Sequence, residues 1–87
     1  MKIREGFLLR NVAGNNVVVP IGQATLDFNG MMSLNETGAF IFSKMLDGTT
    51  KEQLIEDLIS EYEVEREIAQ NDVDDFIKKV EGEGLLE

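Results

Sequence analysis

The chain has 87 residues and a formal net charge of −9, and it contains neither cysteine nor histidine. That length supports a hydrophobic core without covalent staples. The composition excludes disulfides, thiolate nucleophiles, Cys- or His-ligated metals and any histidine general base. The charge is uneven: residues 1–30 sum to +1, residues 31–60 to −3 and residues 61–87 to −7. An acidic C-terminal third repels phosphate backbones, so nucleic acid is not an expected partner. No run is long enough to span a bilayer, and Met1–Gly6 is not followed by the apolar stretch of a signal peptide, so no membrane contact and a cytoplasmic location are expected.

Taken in order, residues 7–12 and 16–20 are rich in β-formers and flank the turn cluster Ala13-Gly14-Asn15, which predicts a hairpin. Pro20 cannot donate to a ladder and ends the second strand. Residues 24–28, Ala-Thr-Leu-Asp-Phe, predict a further strand, joined through the turn dipeptide Asn29-Gly30 to a short strand over Met31–Leu34. A three-residue loop with Gly30 in the left-handed bulge position pairs Leu26 with Met32 and Ala24 with Leu34. Ala24, Leu26, Met32 and Leu34 then face the helices, while Thr25, Asp27, Met31 and Ser33 face away.

The period then changes from two to 3.6. Asn35 is an N-cap candidate, and Ser33 with Glu36 has capping-box spacing, so a helix starts near Glu36. It carries Ala39, Phe40, Ile41, Phe42, Met45 and Leu46, apolar around most of its circumference, and is the expected hub of the core. Asp47-Gly48 stops it. Thr49 or Thr50 caps a second helix with Leu54, Ile55, Leu58, Ile59 and Tyr62 on one stripe. After a connector over residues 63–67, with Val64 turned inward, a third helix runs from about Glu65 or Ile68 to Glu81. Its apolar positions are Ala69, Val73, Phe76, Ile77 and Val80, and Gly82 and Gly84 end it before an apolar Leu85-Leu86 tail. The fold class expected is α+β over residues 1–87 as one domain, with an N-terminal three-stranded antiparallel sheet built of β-hairpins and three α-helices after it.

Little in this pattern points to catalysis. Asp72 and Asp75 are spaced for a shared helix face, but such pairs are common on solvated helices, and the chain has no calcium-loop motif. Gly14, Gly22 and Gly30 lack the spacing of a phosphate-binding loop, and Ser33 and Ser43 have no histidine partner. No enzyme activity, metal or cofactor is expected. More informative is the last strand. Met31–Leu34 contains no proline or lysine to blunt an edge, so the edge is either masked, by the third helix or by dimerisation, or available to capture another strand. A monomer or a weak or swapped dimer is consistent with such an edge.

Leu34-Asn35-Glu36-Thr37-Gly38-Ala39, the apolar run through Phe42, the Gly48-Thr49-Thr50 break, the helix end at Glu61-Tyr62 and the close at Gly84-Leu85-Leu86 together resemble the PqqD family. Its members are the pyrroloquinoline quinone biosynthesis protein D and its relatives, also called RiPP recognition elements, where RiPP denotes a ribosomally made and post-translationally modified peptide. The resemblance implies a winged helix-turn-helix-like fold that binds peptides. It also implies a non-catalytic adaptor: the leader of a precursor peptide adds as a strand to the third strand, lies against the third helix, and is presented to a modifying enzyme, often a radical S-adenosylmethionine enzyme. Carried onto this sequence, the strand contact falls on Met31, Met32, Ser33 and Leu34, and the helix wall on Asp72, Asp75, Phe76 and Lys79. The length fits a free-standing copy. The alternative is an accessory or regulatory winged-helix domain that binds a protein partner through its acidic third helix while the strand edge stays covered.

Overall fold

The computed structural model describes residues 1–28 and 30–87, so the expected turn at Asn29 lies outside the described residues. Strands β1 (Phe7–Val12) and β2 (Asn15–Pro20) form the predicted hairpin, with Val12 opposite Asn15 and Phe7 opposite Pro20. The loop is shorter than the turn cluster suggests. Ala13 and Gly14 alone make it, both at positive φ (52° and 84°), the geometry that matches the twist of the flanking strands. The Asn11 side chain fixes the loop by accepting from the Gly14 amide at 3.2 Å and donating to Asn16 Oδ1 at 3.2 Å.

The next segment departs from expectation. Residues 24–27 form one helical turn, α1 (Ala24–Asp27), and not a strand. The amides of Thr25 and Leu26 donate to Gly22 and Gln23, and that of Phe28 to Ala24 at 3.0 Å. Tertiary contact decides the outcome. The Ile21 amide donates to the Gly6 carbonyl at 2.7 Å, and a methyl placed on Gly6 would lie 2.8 Å from the Ala24 methyl, so the turn seats Ala24 directly on the Gly6 backbone. Phe28 meets Phe7 edge-on with centroids 5.5 Å apart. The predicted Leu26–Met32 and Ala24–Leu34 pairs do not form. Strand β3 (Met32–Leu34) instead pairs antiparallel with β2, placing Leu34 opposite Asn16, Ser33 opposite Val17 and Met32 opposite Val18. The sheet order is β1-β2-β3, so β3 is an edge. The faces of β3 are as expected, with Leu34 inward and Met31 and Ser33 outward. Leu26, expected inward, is 77% exposed.

Three helices follow: α2 (Glu36–Asp47), α3 (Lys51–Tyr62) and α4 (Arg66–Gly82). Asn35 caps α2 by accepting from the Gly38 amide at 2.7 Å, and Thr50, of the two threonines, caps α3 by accepting from Gln53 at 3.1 Å. Ile41, Phe42 and Met45 of α2 are buried beside Val18 and Leu34 of the sheet, Leu54, Ile55 and Leu58 of α3, and Ala69, Val73, Phe76 and Val80 of α4, in one core cluster. Val64 turns inward and Ile68 does not. The tail folds back as predicted. Leu85 is fully buried, its carbonyl accepts from the Arg4 amide at 2.8 Å, and Leu86 bridges to Ile3.

This packing predicts opposite costs for two leucines. Leu54→Ala should lower stability by about 2–5 kcal/mol through lost burial and a residual cavity, whereas Leu26→Ala should stay within about 0.5 kcal/mol of wild type. Urea denaturation monitored by circular dichroism measures both; a cost at Leu26 matching that at Leu54 would restore the inward-facing strand.

Candidate functional site

Among the described residues, strand β3 is flanked by β2 on one side only. In an antiparallel ladder successive residues point their N–H and C=O groups alternately to the two sides, so an edge strand leaves half of them for another partner. Among the described residues, no backbone hydrogen bond outside the ladder involves Met31–Leu34. Helix α4 does not close this edge. It stands across a cleft with a volume of about 310 Å³.

One wall of the cleft is Leu34 and the first turns of α2, with Asn35, Thr37, Gly38 and Ile41; the other is Asp72, Asp75, Phe76 and Lys79 of α4. The α4 residues follow the i, i+3, i+4, i+7 pattern that puts them on one helix face. Phe76 serves both core and cleft: it is 7% exposed and its ring edge reaches the start of α2. Gly38 makes that approach possible. A methyl there would sit 3.1 Å from Asn35 Oδ1, 3.3 Å from Phe76 Cε1 and 3.6 Å from Leu34 Cβ.

Five of the eight residues singled out in the sequence, Leu34, Asp72, Asp75, Phe76 and Lys79, thus line one cavity. Met32 is half-buried against the core, two residues before Leu34 on the same strand. Met31 and Ser33 project from the other face of the sheet, where with Val12, Asn15 and Val17 they line a second hollow. Sequence reasoning missed the α2 wall. Gly38 carried a signal: glycine in a helix costs about 1 kcal/mol relative to alanine, so its presence three residues after a cap marks a close approach.

The charges sort by face. Asp74, between the two cleft aspartates, pairs with Lys51 on α3, and Arg66 of α4 pairs with Glu56 of α3. Asp72, Asp75 and Lys79 are exposed and take part in no ion pair among the described residues. The hydrogen bond and charge of Glu56 raise the Arg66 pKa, and burial, followed by the charges of Glu36 and Glu61, raises that of the Tyr62 phenol; neither group lines the cleft. Among the described residues no three acidic side chains converge as metal ligands. Among the described residues no helix is long and apolar enough to cross a membrane.

Fold and cleft together define a small α+β protein with an open sheet edge facing a helix across a mixed apolar and charged groove. The chain belongs to the PqqD family: the sequence profile described as "Coenzyme PQQ synthesis protein D (PqqD)" matches residues 17–86. No curated protein matches the sequence. Two solved structures share the fold. One is described as TbiB1 in complex with the TbiA(beta) leader peptide, at 24% identity and a TM-score of 0.78, covering 100% of this chain and 95% of the other. The second is a lasso peptide synthetase B1 complexed with the leader peptide, at 26% identity and a TM-score of 0.73, covering 97% and 93%.

The tight Gly38 contact is directly testable. Gly38→Ala should displace the Phe76 ring and narrow the cleft, shifting the Phe76 aromatic NMR resonances; unchanged resonances would mean that the contact is slack.

Proposed function

We propose that this chain is a non-catalytic peptide-binding adaptor of one domain, residues 1–87. It captures the leader of a ribosomally made precursor by strand addition to β3 and presents it to a modifying enzyme, with a radical S-adenosylmethionine enzyme as the expected partner. The observation that carries this reading is the unpaired β3 edge beside a cleft whose far wall is the exposed face of α4. Family membership supports it, as do two structures of the same fold that hold leader peptides. Main-chain pairing supplies affinity that no catalytic group is needed to provide, and pockets on either side of the new strand supply selectivity.

In this reading Met31, Met32, Ser33 and Leu34 meet the peptide backbone, and Asp72, Asp75, Phe76 and Lys79 meet its side chains. The adaptor would work in the cytoplasm, where a ribosomal precursor is first available. The shared lining of one cleft by Leu34 of β3 and the acidic face of α4 supports a peptide held by both over a partner bound by an acidic helix apart from a covered edge.

The test places the perturbation in the peptide, so the protein fold is untouched. A candidate leader peptide is synthesised with single backbone N-methyl groups at successive positions. Strand addition predicts affinity losses of roughly three- to tenfold at alternate positions, with amide shifts confined to Met31–Leu34, α4 and the start of α2. Losses without a period of two, or shifts remote from β3, would refute strand capture.

A further inference from the structure

The proposed strand site has a wall with an order to its charges. Along the cleft face of α4 the residues run Asp72, Asp75, Phe76, Lys79, that is, acidic, acidic, apolar, basic. Seven residues of helix advance about 10 Å. A strand bound along α4 would place its inward side chains about 6.8 Å apart, so two or three of them would pass this stripe.

The stripe's charges are not consumed internally. Asp75 and Lys79 are one turn apart, the spacing at which helix residues can neutralise each other, yet they form no ion pair, whereas neighbouring Asp74 is tied to Lys51. The apolar element is equally placed: Phe76 and, opposite it, Leu34 and Ile41 give an inward side chain an apolar seat between the two charged ends.

We propose that the cleft reads charge order: its peptide carries an apolar inward residue flanked, two positions away on one side, by a basic residue for Asp72 and Asp75, and on the other side by an acidic or neutral residue for Lys79. This rests on the strand-capture reading and adds the class of peptide and its polarity. Asp72 and Asp75 attract a lysine or arginine and repel a carboxylate; Lys79 does the reverse, so reversing the two charges turns both contacts from attractive to repulsive. Antiparallel pairing on the β3 edge, the more stable of the two ladder geometries, sets the strand direction in which this order is read.

The probes are two synthetic twelve-residue peptides, acetylated and amidated, with the central sequences Lys-Thr-Leu-Thr-Glu and Glu-Thr-Leu-Thr-Lys. They have the same composition, hydrophobicity and net charge. Heteronuclear NMR titration at low salt should show both perturbing the β3 amides, with affinities differing by about three- to tenfold, as two exposed charge contacts changing sign imply. The difference should shrink as salt rises to about 0.5 M, because exposed charges are screened within a few ångströms there. The double variant D75K/K79D, its fold checked by circular dichroism, should invert the order of the two peptides. Equal affinities, or an unchanged order in the variant, would overturn the charge reading while leaving strand capture standing. Failure of both peptides to perturb β3 would count against both.

Discussion

The arrangement depends on one close contact, that between the start of α2 and the ring of Phe76, with no side chain at Gly38 to hold them apart. Strand β3 ends at Leu34, Asn35 caps the helix with its side-chain oxygen on the Gly38 amide, and the bare Gly38 backbone then lies against Phe76. Strand edge, helix start and α4 are thereby set within one side chain's reach of each other. A larger residue at position 38 would push on the cap oxygen and on the ring together. The cleft is therefore a direct product of the strand-to-helix junction.

That junction explains why α4 borders β3 without covering it. Helix α4 packs chiefly on α3, its Ala69, Val73, Phe76 and Val80 entering the common core, and the Lys51–Asp74 and Arg66–Glu56 pairs fasten the same two helices. The pairs are exposed and individually weak, so the apolar stripe sets the position and the charges tune it. At the other end the Leu85–Leu86 tail locks α4 to the N-terminal segment through Arg4 and Ile3. The exposed face bearing Asp72, Asp75 and Lys79 lines the cleft that Leu34 of β3 borders.

How much of this was legible in the sequence varies with the range of the interactions that decide each element. The three long helices, the Asn35 cap and the first hairpin are governed by local rules, and the sequence pattern placed them to within a few residues. The family resemblance drew five residues from distant parts of the chain that do line one cavity. The segment from Ala24 to Phe28 was misread because its alternation fits a strand while its ends, four residues apart, equally fit one turn of helix. Contacts with Gly6 and Phe7, some twenty residues away, settle the choice. With that strand gone, Met32–Leu34 had to find another partner, and the free side of β2 supplied it. The misreading moved the pairing and the face of Leu26 but not the faces of β3, because Leu34 must be buried in either register.

In the proposed mode of binding, a strongly acidic chain with few functional groups is still selective. Strand addition is indifferent to sequence along the backbone, since every residue but proline offers the same N–H and C=O. Discrimination must then come from the side chains on either face of the new strand. On the inner face the apolar seat formed by Leu34, Ile41 and Phe76 favours insertion but accepts many residues. The exposed charges around it are individually worth little, yet they are ordered, and reversal of a peptide's charges changes two contacts in the same direction. In the proposed mode of binding, affinity from the sheet edge and selection from the helix face are carried by different residues. The helix face can therefore change its preferred peptide while the fold and the edge stay as they are.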